Sequence, residues 1–208
     1  TGPEGATIAD ADDQGFLGSF TPGYDLYDVS QLQVTGISFI DQIWGASRLA
    51  LVGEVGGTFV HNLPELSEVR YGRLDQAGFG LTPDYFPSDG VSAMEACLEL
   101  NSTGSCNDEG YVTDFSWGYR ARASLVYNDV FSGVNLTPTL NISHDVSGYA
   151  PGPGANFVEG RKSFGLSLKA DYLNSYTAKV AYTSYFGNER YNGLEDRDNL
   201  ALSVSYSF

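Results

Sequence analysis

The chain has 208 residues with 26 Asp and Glu against 11 Lys and Arg, a formal net charge of −15. That balance excludes a phosphate-backbone partner, which needs a basic stripe, so no nucleic acid is expected. No run of 18 apolar residues occurs, which excludes a transmembrane helix, while 25 Gly, 14 Tyr and 12 Phe suit many strands and turns in one structural unit.

Residues 1–25, with Gly2, Pro3, Gly5 and the acidic Asp10, Asp12 and Asp13, read as a loop segment, and residues 26–208 carry the strands. Leu26 to Ile40 has strand composition with apolar residues on both faces. A turn from Asp41 to Ala46 follows. Ser47 to His61 then sets Leu49, Leu51, Val55 and Phe59 against Ala50, Glu54, Gly56 and Thr58. Residues 62–111 form a loop of unusual length, within which Asp89 to Leu100 has the pattern of a short helix. Cys97 and Cys106 are close enough in sequence to form a disulfide tying that loop in an oxidising compartment, two unrelated thiols being the alternative.

Val112 to Tyr127 gives the longest alternation, with Phe115, Trp117, Tyr119, Ala121, Ala123 and Leu125 opposed to Ser116, Gly118, Arg120, Arg122 and Ser124. After a turn at 128–133, Val134 to Ser143 alternates again, with Pro138 marking a bulge or a weak point in the ladder. A Gly- and Pro-rich loop from His144 to Arg161 leads to strands at Lys162 to Tyr172 and Tyr176 to Phe186. The polar loop Gly187 to Asn199 follows, and then a last strand ending on Val204, Tyr206 and Phe208. Short turns and long acidic loops alternate, and most acidic residues fall in the latter. Strands with one greasy and one small or polar face, short turns at one end and long loops at the other suit an antiparallel transmembrane β-barrel wall. Seven strands are an odd count for such a barrel, so the expectation is the C-terminal part of a larger one, paired with the remainder of its own barrel.

Two charge arrangements stand out on the small-residue face. Glu54 comes near Arg120, with Arg122 one step away, and Asp171, beside Lys169, faces Lys179 across the Asn174 turn. These six residues would form a charged lumen ladder that orients a solute or sets ion selectivity, or else cross-strand pairs that only fix register. Ser143, His144 and Asp145 do not make a hydrolase, because successive strand residues point to opposite faces. His144 and His61 read as loop-base residues. No covalent chemistry, resident metal or cofactor is expected; Asp10, Asp12 and Asp13 and the run Glu195, Asp196, Asp198 offer at most weak calcium binding, without the spacing of a dedicated loop.

Cys97 and Cys106, Ser116 to Arg120, Ser143 to Tyr149, Asp196 to Asp198 and the final Ser205 to Phe208 follow one another in an order that resembles the C-terminal part of a proteobacterial outer-membrane family catalogued as domain of unknown function 1302. The resemblance implies residence in the bacterial outer membrane; with the short turns and Phe208 periplasmic, the first of the seven strands is entered from outside, which sets residues 1–25 on the extracellular side. It implies contact with lipid and lipopolysaccharide, and an aromatic C-terminus (Val204, Tyr206, Phe208) read by the barrel assembly machinery. It further implies a periplasmic partner and an inner-membrane exporter of the resistance-nodulation-division type, and passage of small, hydrophobic molecules. The rival expectation is a structural or adhesive surface protein that acts through its acidic loops.

Overall fold

A computed structural model describes residues 25–66, 68–72, 108–152 and 156–208. All but Asp25 of the loop expected at 1–25, the helix expected at Asp89 to Leu100, the Cys97–Cys106 pairing and the calcium reading of Asp10, Asp12 and Asp13 lie outside these residues. The described chain is all-β: β1 (Val29–Ile43), β2 (Ala46–Val60), β3 (Phe115–Phe131), β4 (Val134–Ser147), β5 (Lys162–Tyr172), β6 (Tyr176–Phe186) and β7 (Asn199–Tyr206). They form one antiparallel sheet in chain order, open at β1 and β7.

The three tight connections lie at one end of the sheet. Trp44-Gly45 and Ser132-Gly133 are two-residue loops in which both residues have positive φ, the twist-matched geometry of hairpin turns. Leu173, Asn174 and Ser175 make the third, with Leu173 and Asn174 left-handed. The turns expected at 41–46 and 128–133 are therefore corrected to two residues each, and the strands run further. Neither turn carries the Asn-Gly signature by which such loops are read. Ser207 N–H donates to Ser175 C=O at 2.8 Å, bringing the C-terminus to this same end.

β4 also continues past Ser143, so the expected loop start at His144 is corrected. Gly118 pairs with Asp145 and Trp117 with Ser147, leaving Val146 as a bulge that breaks the alternation visible in sequence. His144 stands in the strand with its ring edge-on to Tyr119 at 5.5 Å, while Asp145 belongs to the other face. Pro138 lies in register opposite Leu168; the second β3–β4 irregularity falls between Tyr127 and Phe131 instead.

The register sorts the side chains into two unlike faces. One carries Val34, Leu51, Val55, Tyr119, Leu140, Ile142, Phe164, Leu166, Leu168, Val180, Tyr182, Leu202 and Val204, lined up cross-strand from β1 to β7. Even within the sheet, Val55 and Leu166 are about half exposed, at 50% and 53%. The opposite face carries Thr35, Glu54, Arg120, Arg122, Asn141, Ser143, Ser163, Thr183 and Ser203. Most of the buried apolar residues lie elsewhere, Ala46, Leu49 and Val60 of β2 being the exceptions. Tyr111, Val112, Ala150, Phe157 and Tyr191 are each at most 6% exposed, and all belong to the long connections.

Candidate functional site

On the polar face Glu54 lies directly opposite Arg120, and Arg122 lies two positions along the same strand opposite Val52. The expected neighbourhood of these three residues is thus present. Glu54 and Arg120 do not close to an ion pair; Glu54 accepts from Thr35 Oγ1 at 3.4 Å, and Arg122 Nε donates to Ser124 Oγ at 3.3 Å. Arg120 has no hydrogen-bond partner among the described residues, and it is exposed. Asn141 and Ser143 face the two arginines from β4, and Ser143 Oγ lies 2.7 Å from Ser163 Oγ on β5.

The second half of the expected ladder is corrected. Because Tyr172 pairs with Tyr176 across a three-residue loop, Asp171 faces Thr177, and Lys179 faces Lys169. Asp171 instead takes Lys169 Nζ at 2.8 Å from its own strand and Thr177 Oγ1 at 2.7 Å from the neighbour. Two like charges directly opposite would destabilise the pairing, and the turn of Lys169 toward Asp171 relieves it. Nearer the tight turns, Arg48 pairs with Asp41 at 2.7 Å and lies 5.5 Å from the centre of the Phe39 ring.

Above the polar face the described parts of the three long connections pack into a cap, which no periodicity in the sequence announces. Thr113 N–H donates to Tyr149 C=O at 3.0 Å, and Tyr149 N–H returns a bond to Thr113 Oγ1 at 2.9 Å. Asn188 Nδ2 donates to Glu159 C=O at 2.5 Å and to the Tyr149 hydroxyl at 3.0 Å. Tyr149 and Tyr191 meet edge to face at 5.7 Å. Gly110, with φ +85°, lies so close under Tyr191 that a Cβ there would meet the ring at 2.5 Å. Burial raises the Tyr149 hydroxyl above the ordinary tyrosine range.

The connection between β4 and β5 turns inward over the sheet. Asp145, 3% exposed, receives Arg161 through Nε at 2.7 Å and Nη2 at 2.6 Å, and Val158 N–H at 3.2 Å. This clasp brings Phe157 down onto the polar face above Gly56 and Gly118, a cross-strand glycine pair. A Cβ on Gly118 would approach the Phe157 ring to 3.1 Å and the His144 carbonyl to 2.6 Å, so the close approach requires glycine there.

Three hollows run in series through this region. An apolar one of about 400 Å³ lies in the cap among Tyr149, Ala150, Phe157, Val158, Tyr191 and Leu194. Below Phe157, one of about 140 Å³ is bounded by Gln31, Gln33, Glu54 and Arg120. Glu54 and Arg120 also bound a third, of about 300 Å³, with Arg122, Asn141, Ser143 and Ser163.

The remaining expected residues fall at the ends of the sheet. Val204 and Tyr206 project from the apolar face of β7, 75% and 57% exposed, and Tyr206 stacks between Tyr176 at 4.8 Å and Phe208 at 6.1 Å. His61 bonds Ser30 Oγ through Nε2 at 2.8 Å at the base of the cap. Asp198 accepts from the Tyr182 hydroxyl at 2.7 Å and from Tyr185 N–H at 2.9 Å, bonds that hold its carboxyl below the ordinary aspartate range. Its oxygens are thus engaged. Among the described residues no group of three or more His, Cys, Asp or Glu side chains is placed to hold a metal ion.

Comparison with known families matches residues 2–208 to one described as protein of unknown function (DUF1302). Comparison with curated proteins and with solved structures gives no match.

Proposed function

The chain belongs to the DUF1302 family, and from that premise we propose that it is wall and cap of an outer-membrane β-barrel that passes small, hydrophobic molecules. The observation that carries this reading is the two-faced sheet. Large apolar side chains stand uncovered on one face, beyond the patch size that monomers in water expose, while charges and small polar residues occupy most of the other, Ile37 and Phe39 of the edge strand β1 being the large apolar exceptions. A bilayer is the solvent that suits the first face, and an aqueous lumen suits the second. From Tyr176 to Phe186 the outward side of β6 rises about 33 Å along the strand, or about 25 Å at a tilt near 40°, the height of an outer-membrane apolar band. Tyr172, Tyr176, Tyr206 and Phe208 would form part of the lower aromatic girdle.

In this reading the tight turns are periplasmic, the cap is extracellular, and the aromatic C-terminus meets the barrel assembly machinery. β1 and β7 run in the same direction, since five strands of alternating sense separate them. Direct closure would pair them in parallel. An odd number of further strands completes the wall with antiparallel neighbours, and this supports a larger barrel. Periplasmic and inner-membrane partners belong to the same proposal.

The rival, a surface protein acting through its loops, has one observation in its favour: the packed cap, with Phe157 seated on the polar face. Single-channel recording on the full-length protein in planar bilayers separates them. Steps of current that rise when Phe157 is replaced by Ala support passage. A silent bilayer with both proteins, each correctly inserted, would reject it.

A further inference from the structure

A plain water-filled pore requires neither an apolar hollow at its mouth nor an uneven count of charges beneath it. Here both occur in sequence along one line. The cap hollow is walled by Tyr149, Ala150, Val158, Tyr191 and Leu194, and Phe157 forms its floor. Phe157 rests on Gly56 and Gly118, each one same-face step, about 7 Å, from Glu54 and Arg120 respectively. Among the described residues two arginines stand there against one carboxylate. Glu54 is bonded to Thr35 rather than to Arg120, so among the described residues the cluster retains one uncompensated positive charge and unused guanidinium donors.

We infer that the cap hollow and the Arg120–Arg122 pair are the two ends of one site for an amphipathic monoanion: a single apolar chain bearing one carboxylate or comparable acid group. The inference rests on the reading of the polar face as a lumen. The apolar part occupies the cap hollow, whose volume of about 400 Å³ falls in the range of small-molecule sites. The acid group reaches past Phe157 to Arg120 and Arg122, where charge-assisted hydrogen bonds favour the ionised form. Asn141 and Ser143, opposite the arginines, supply neutral polar groups around it. Acidic side chains of the cap, among them Glu159, Glu189, Glu195 and Asp196, repel an anion approaching from above, so the site fills more readily from the end with the tight turns.

Calorimetric titration of the full-length protein held in amphipol tests this with three probes of equal chain length: decanoate, decanol and decyltrimethylammonium. Decanoate is expected to bind about tenfold or more tighter than decanol, the order of one charge-assisted hydrogen bond, with the cation weakest. Arg120→Gln with Arg122→Gln should reduce decanoate to the level of decanol and leave decanol unchanged. Ala150→Trp, which fills the hollow, should weaken both, and Ala150→Val should weaken both by less, with heat-modifiable gel mobility reporting that each variant is folded. Equal binding of decanoate and decanol, or decanoate binding indifferent to the arginine pair, would overturn the inference. Current in bilayers without decanoate preference would overturn this inference alone. Decanoate preference with no current would reject the channel reading instead.

Discussion

Asp145 is nearly sealed from solvent, and its charge is tolerated there because Arg161 and Val158 N–H meet it. Removing one partner of such a pair leaves a buried charge without compensation, at a cost of about 3–5 kcal/mol, more than the pair itself contributes. Arg161→Met should therefore release the inward segment at 156–161, measured as lost hydrogen-exchange protection of Val158 and Gly160 N–H, while the ladder of β5 and β6 keeps its protection. Asp145→Asn keeps an acceptor and should cost less. The six residues expected to form a ladder illustrate what was legible at this scale. Glu54, Arg120 and Arg122 could be placed together because alternation fixes the face and the long strands leave little slack in register. Lys179 stands two residues beyond Thr177, the true partner of Asp171, and a two-residue slip preserves the face and changes only the partner. The Asp145–Arg161 clasp left no trace beyond two charges 16 positions apart.

At the scale of elements, β5 and β6 have the bounds that their strict alternation predicts, Lys162–Tyr172 and Tyr176–Phe186. The end of β4 escaped because the bulge at Val146 interrupts the period, and β1 was blurred because apolar residues such as Val34 and Ile37 lie on both of its faces. The faces of β5 make a sharp prediction. Leu166→Arg puts a charge on the apolar face in mid-strand and should destabilise the folded protein in bilayers by about 2–4 kcal/mol, whereas Ser167→Arg on the other face should cost under about 1 kcal/mol. Urea titration of the lipid-inserted protein reads the difference, and equal costs would contradict the assignment of faces.

The junction of the last long loop with β7 responds to pH in a definite sense. Asp198 is held below the ordinary aspartate range chiefly by the Tyr182 hydroxyl, then by Tyr185 N–H. Its contribution is therefore fully present above the ordinary aspartate value, about pH 4, and is lost as pH falls through the lower folded value. Glu195 works in the opposite sense. Burial first, then Glu189 and Asp196, raise its carboxyl, so protonation relieves it as pH falls. Hydrogen exchange at Tyr185 N–H should accelerate below about pH 4 relative to neighbouring strand amides, and Asp198→Ala should flatten that response. A profile unchanged by the substitution would remove the role given to Asp198.

For the whole molecule, the sheet was legible from period and turn spacing, but the cap was not. Its buried members, Tyr111, Val112, Ala150, Phe157 and Tyr191, come from three connections without a shared period, and only the pairing of the strands beneath brings them together. Loops expected to be acidic and solvated thus contain five of the eight buried apolar residues in the described chain, the other three being Ala46, Leu49 and Val60 of β2. Under the proposed membrane reading, a sheet with one face in lipid and the other in water would keep little interior of its own, and the cap is where a compact core can form.

The central claim is that the two faces of this sheet meet different solvents. A nitroxide scan from Ala178 to Thr183 of the protein in bilayers tests it most directly. Oxygen, which concentrates in lipid, should relax labels at Ala178, Val180 and Tyr182, and a water-soluble nickel chelate should relax those at Lys179, Ala181 and Thr183, with a clean period of two. Loss of that alternation, or access of the nickel chelate to both sets, would contradict the account.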